Sequence, residues 1–214
     1  MLLLLVRHAE SNLNRQKKLQ GQKDPPLSPY GRKEAERLAR RFRELKFAAV
    51  YSSPLKRAYQ TAEIIVAGRK CKITCQDALK EWGLGKWEGK TLAEVRKNYG
   101  DSFRRWVRKP SSVSVPGGEP FKDFVARVKR TIEAIRKKHT AGNVLVVCHG
   151  GVISTYVTMI MNLTPDDVWC LTVGNASLTM VEFGPRVRRL VTFNDTGHLM
   201  SLRAARETEV THVD

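Results

Sequence analysis

The sequence predicts an α/β protein: a three-layer α/β/α sandwich built on a mostly parallel central sheet. Three observations support this. Apolar runs alternate with amphipathic helical segments for most of the length. The runs Leu2 to Val6 and Val144 to Cys148 are continuously apolar, as strands covered on both faces of a parallel sheet must be. The 214 residues suffice for one domain with a sizeable core.

Leu2 to Val6 is the first expected strand. From His8 to about Pro29 the chain is polar, contains Gly21 and Pro25-Pro26, and reads as a loop with a short helix after Ser11. From Tyr30 to about Lys46, Ala35, Leu38, Ala39, Phe42 and Leu45 recur at helical spacing. Ala48 to Ser52 is a short buried strand. Ser53-Pro54 then opens a helix to about Val66, its proline suited to a first turn. Lys72 to Gln76 is a third strand, and Glu81 to Gly89 is a loop rich in Gly and Trp. Thr91 and Glu94 form a capping-box pattern for a helix beginning at Leu92. Pro116-Gly117-Gly118 breaks the chain before a helix from Phe121 to about Lys138. Val144 to Cys148 is a strand, His149-Gly150-Gly151 a tight turn, and Val152 to about Met161 a helix. Two late strands, Ala176 to Phe183 and Arg188 to Asn194, join at Gly184-Pro185 and can pair antiparallel. The expected organisation is a single domain over 1–203, with 82–120 as a lid over the site and 204–214 as a tail.

Composition narrows the function classes. Hydrophobic residues are 42% and charged residues 28%, a globular balance. Thirty-eight Lys and Arg against 21 Asp and Glu give a formal charge of +17, which fits an anionic partner or a solvated basic surface. The four cysteines, Cys71, Cys75, Cys148 and Cys170, are too few for a disulfide scaffold and lack zinc-site spacing. The apolar start is too short for a signal peptide or membrane span, so a cytoplasmic protein is expected.

The residues suited to chemistry lie at strand ends. His8 follows the first strand and His149 follows Val144 to Cys148, and ligands of open α/β sheets bind beyond such ends. Arg7 and Arg57 carry guanidinium forks that match phosphate oxygens, Arg57 one turn into a helix. Glu81 stands before a loop with two tryptophans, where an apolar setting would keep a carboxyl group protonated as a general acid. A nucleophilic histidine must be neutral, so a hydrogen-bond acceptor should fix its tautomer; the sequence does not name it. No carboxylate cluster suits Mg²⁺, and neither metal nor cofactor is expected.

Val6-Arg7-His8-Ala9-Glu10-Ser11 resembles the signature of the histidine phosphatase superfamily, the group that includes cofactor-dependent phosphoglycerate mutase. Further segments match in order: Leu27-Ser28-Pro29-Tyr30-Gly31, Tyr51-Ser52-Ser53-Pro54-Leu55-Lys56-Arg57-Ala58, and Glu81 with Trp87-Glu88-Gly89. Pro116-Gly117-Gly118-Glu119, Val147-Cys148-His149-Gly150-Gly151 and Asn194-Asp195-Thr196-Gly197-His198-Leu199 follow. The resemblance implies a phosphoglycerate mutase-like fold. It also implies that His8 becomes phosphorylated while Arg7, Arg57 and His149 neutralise the phosphate. Glu81 would serve as acid and then base. Asn14, Gln20 and Gly21 would line the substrate entrance, with Gly150 a further substrate contact.

Mutases of this group carry a longer insertion after the acid loop, with a proline run. Here the interval from Glu81 to Gly117 is short, and Arg104-Arg105-Trp106 is followed by no such run. The expected activity is therefore hydrolysis of small phosphorylated metabolites, with a mutase as the alternative. The basic charge leaves a catalytically silent polyanion-binding module as the alternative of another class, but no nucleic-acid motif supports it. Trp82-Gly83-Leu84 lacks the extra histidine of some phosphoserine-preferring relatives, which counts against phosphoserine. Phe103, Trp106 and Val107 fit either an apolar lid or core packing. Lys86, Arg104, Arg105 and Arg108 fit either a second acidic group or a solvated helix. The resemblance leaves a homodimer open.

Overall fold

The computed structural model describes residues 1–185 and 187–211, the last five by backbone only. Six strands form one sheet: β1 (Leu2–Arg7), β2 (Phe47–Ser52), β3 (Ile73–Cys75), β4 (Asn143–Cys148), β5 (Leu178–Phe183) and β6 (Arg188–Asp195), in the order β3-β2-β4-β1-β5-β6. The first four are parallel; β5 and β6 run antiparallel at one edge.

Alternation along the central strands divides the core in two. Leu3 and Leu5 of β1, with Val144 and Val146 of β4, face α5 (Phe121–Lys138) and α6 (Gly150–Ile160). Leu4 and Val6, with Leu145 and Val147, face α2 (Pro29–Arg41) and α3 (Lys56–Val66). Because successive side chains point to opposite faces, a continuous apolar run is what two helical layers require. The three-layer architecture follows.

The remaining α-helices among the described residues are α1 (Asn12–Arg15), α4 (Leu92–Arg108) and α7 (Met200–Thr211). Ser11 caps α1 and Thr91 caps α4, each by a reciprocal capping box. Two expected boundaries are corrected. The helix expected to reach Lys46 ends at Arg41, since buried Phe42 turns the chain and Arg69 donates to the Phe42 and Leu45 carbonyls at 2.5 and 2.6 Å. The segment from Ala204, expected as a tail, is helical through Thr211. Arg206 secures it, pairing with Glu10 at 3.1 Å and lying 4.2 Å over the Tyr30 ring. Residues 212–214 lie outside the described residues. Among the described residues, no helix is long and apolar enough to cross a membrane.

The helix α2 approaches the segment after β1 closely. A Cβ on Gly31 would stand 2.0 Å from the Glu10 carbonyl oxygen, so backbone would have to move. Gly31→Ala is expected to lower unfolding free energy by about 1–3 kcal/mol. Urea denaturation measures this, and an unchanged midpoint would contradict the tight approach.

Candidate active site

The sheet order brings the two strand-end histidines together. Arg7 pairs in register with Cys148, and the His8 N–H donates to the Cys148 carbonyl at 2.9 Å. His8 and His149 therefore leave adjacent strands side by side, with ring centroids 5.2 Å apart. Ser53 follows β2, its N–H bonded to the Val147 carbonyl at 2.9 Å, and its Oγ lies 2.8 Å from His149 Nε2. The helix α3 then presents Arg57 to the same point.

His8 Nδ1 lies 2.8 Å from the carbonyl oxygen of Ala9. A carbonyl only accepts, so the proton sits on Nδ1 and Nε2 keeps its lone pair. This carbonyl is the tautomer-fixing acceptor that the sequence did not name. Burial first, then the charges of Arg57 and Arg7, hold the His8 pKa well below the usual histidine value, against the Ala9 bond that raises it. His8 is thus a neutral base whose unprotonated Nε2 accepts the Arg57 Nε–H at 3.2 Å. His149 is likewise held well below the usual value, by burial first and then Arg57. Its Nδ1 is buried without a partner among the described residues.

Arg57 is fully buried, yet none of its acceptors is a carboxylate. Its Nε donates to His8 Nε2 at 3.2 Å, Nη1 to the Lys23 carbonyl at 2.6 Å and Nη2 to the Gly21 carbonyl at 2.8 Å. Burial lowers its pKa to about 10, so it remains a cation at neutral pH. Arg7 donates from Nη1 to the Val173 carbonyl, and its buried Nε has no partner among the described residues. Burial lowers its pKa too, while Glu81 and Glu34 oppose that shift.

Glu81 has more polar surroundings than the expected apolar setting. Its Oε1 accepts the Trp82 N–H at 2.9 Å and its Oε2 the Gly151 N–H at 3.1 Å, at the N-terminus of α6. Gly151 permits this approach, since a Cβ there would lie 2.4 Å from Glu81 Oε1. The loop bearing Glu81 is clamped by Arg127, which donates to the Ala78, Lys80 and Glu81 carbonyls and forms a two-pronged pair with Glu119 at 2.6 and 2.8 Å.

A cavity of about 390 Å³ opens here, and every expected site residue lines it except His149, whose ring is fully buried beside that of His8. Several of these residues act through structure. Asn14 Oδ1 accepts from Ser11 and Asn175. Gln20 is buried and bonded to Ser11 Oγ at 2.6 Å. Gly21 adopts φ +51° and lends its carbonyl to Arg57. Gly150 lies beside Arg7, where a Cβ would be 3.5 Å from Nε. Sequence reasoning missed Ser53, Arg127, Asn175 and the wall residues Trp169 and Leu171. The Ser53 signal was present, in the segment leading to Arg57; long-range carbonyl clamps such as that of Arg127 leave no local pattern. Trp106 joins the cavity wall and the core alike, whereas Val107 is exposed. Arg104, Arg105 and Arg108 border a separate surface hollow with Asp101.

The sequence matches the histidine phosphatase superfamily (branch 1) over residues 3–196. The chain belongs to this superfamily. This histidine phosphatase is 35% identical over 197 residues to phosphoserine phosphatase 1 of Hydrogenobacter thermophilus, covering 92% of this chain and 93% of the relative. The solved structure of Bacillus stearothermophilus YhfR matches at TM-score 0.87 and 32% identity, over 92% of this chain and 98% of that one. Mycobacterial glucosyl-3-phosphoglycerate phosphatase matches at TM-score 0.82 and 27% identity, over 91% and 99%.

Three histidines, buried His8 and His149 and half-buried His198, make the stability of this histidine phosphatase depend on pH below the usual histidine value. His8 and His149, and His198 at about 4, stay neutral in the fold below the usual histidine value of 6.5. The unfolded chain binds those protons first, so their contribution is complete above pH 6.5 and falls as pH drops. Glu34, raised by burial to about 7 from 4.5, works oppositely over pH 4.5–7. Each group contributes a slope of at most about 1.4 kcal/mol per pH unit, so three histidines outweigh one glutamate. The urea midpoint should fall between pH 6.5 and 5; a rise on acidification would contradict the neutral assignments.

Proposed function

We propose that this chain is a metal-independent phosphomonoesterase acting on small phosphorylated metabolites through a phosphohistidine at His8 Nε2. The observation that carries the reading is the His8 Nδ1 contact with the Ala9 carbonyl, which leaves Nε2 as the nucleophile beside two guanidinium groups. The names of the relatives, a phosphoserine phosphatase and a glucosyl-3-phosphoglycerate phosphatase, support hydrolysis of phosphate monoesters and differ in the alcohol released.

In this mechanism the phosphoryl oxygens meet Arg7, Arg57 and the unpartnered Nδ1 of His149, with Ser53 Oγ donating to His149 Nε2 to set that tautomer. His8 Nε2 attacks phosphorus as the ester P–O bond breaks. Glu81 delivers a proton to the departing alkoxide. Water then attacks the phosphohistidine, Glu81 takes its proton, the P–N bond breaks, and inorganic phosphate leaves His8 neutral again. Phosphoryl transfer chiefly requires positioning and charge neutralisation, and Arg7 and Arg57 supply the charge. The covalent step divides one transfer into two.

Phosphate release from p-nitrophenyl phosphate in EDTA tests this reading. Wild-type turnover should persist in the chelator, and His8→Ala should lose about three orders of magnitude or more. Turnover surviving in His8→Ala, or loss in EDTA restored by a divalent cation, would contradict it.

A further inference from the structure

The cavity extends beyond the phosphate end to a wall that the hydrolytic chemistry does not use. Trp82, Leu84, Trp106, Trp169 and Leu171 line it. They come from three separate stretches: the acid loop, α4, and the chain at and after the 3₁₀ turn Pro165–Cys170. The Trp82 and Trp106 rings stack at 5.9 Å and 27°, and Trp169 meets Trp106 at 4.4 Å and 48°. The Trp169 indole N–H donates to the Trp106 carbonyl at 3.0 Å, which fixes its ring. Trp82 and Trp106 are 3% and 5% exposed, whereas Trp169 is 38% exposed. A fixed indole that lines a cavity and stays partly exposed is apolar surface for a ligand to cover.

Resting on the phosphatase reading, we propose that this wall is a leaving-group subsite. Its substrates are phosphate monoesters whose alcohol carries a planar aromatic ring system. A ring can meet the indoles in offset or tilted contact. A polyhydroxylated or zwitterionic alcohol would give up hydrogen bonds to water without replacing them on this wall. Lys18 and Thr172, the polar neighbours of Leu19 and Leu171 in the same lining, can meet one polar substituent.

Naphthylethyl phosphate, glycerol phosphate and phosphoserine all release alkyl alcohols, so their relative kcat/KM reports leaving-group binding instead of leaving-group acidity. The naphthyl ester should exceed the other two by about 30-fold or more. Trp169→Ala should cut that ratio about tenfold, while Trp169→Phe, which retains a ring, should keep most of it. Calorimetric binding of the same esters to His8→Ala should show the same order. That readout needs no turnover: preferential binding without hydrolysis by the wild type would overturn the hydrolase reading and leave the subsite standing. Equal or greater kcat/KM and affinity for glycerol phosphate or phosphoserine, or a ratio unmoved by Trp169→Ala, would overturn the subsite.

Discussion

Two guanidinium groups without carboxylate acceptors, Arg57 buried and Arg7 half-buried, are the interaction on which this site depends. Burying a charge costs several kcal/mol even after relaxation, and here the acceptors are backbone carbonyls and an imidazole. The carbonyls fix the forks without cancelling their charge. Burial first, and then the same charges, keep His8 and His149 neutral. The result is a pair of cations that await an anion, beside an imidazole whose neutral form keeps one ring nitrogen unprotonated.

The rest of the fold holds that arrangement in place. Parallel pairing of β1 with β4 sets the two histidines side by side, and β2 brings Ser53 to the second. The segment after His8 is fixed by other contacts. Thr61 accepts the Ala9 N–H at 3.1 Å, Glu34 accepts the Glu10 N–H at 2.7 Å, and Ser28 donates to the Glu10 carboxylate at 2.6 Å. Arg206 of α7 closes this group on Glu10, so the C-terminal helix braces the loop that follows His8. Across the cavity, Arg127 and Glu119 do the same for the loop bearing Glu81. Satisfied buried networks of this kind rigidify a site.

Much of this was legible in the sequence because the strongest signals are local. Continuous apolar strands gave the three-layer sheet, and Ser11, Thr91 and Glu94 marked helix starts that the structure reproduces. His8, Arg57, Glu81 and His149 could be placed because each follows a recognisable strand or opens a helix. What was not legible depends on contacts between distant segments. The Ala9 carbonyl acts through its backbone, which residue identity does not encode. Arg127 reaches three carbonyls of another segment, and Trp169 finds Trp106 only once α4 is folded over the sheet. The helix ending at Arg41 misled because Leu45 continued the apolar period, while Arg69, 24 residues beyond Leu45, supplied the competing hydrogen bonds.

The most direct measurement is the site of phosphorylation itself. Rapid mixing with substrate, alkaline quench and tandem mass spectrometry would locate the phosphoryl group on the chain. Nitrogen–phosphorus coupling in ¹⁵N-histidine-labelled protein would then identify the ring nitrogen. The account predicts one phosphoryl group on His8 at Nε2, because Nδ1 is committed to the Ala9 carbonyl. A phosphoryl group on Nδ1 or on another residue, or turnover without any phosphoenzyme, would contradict it.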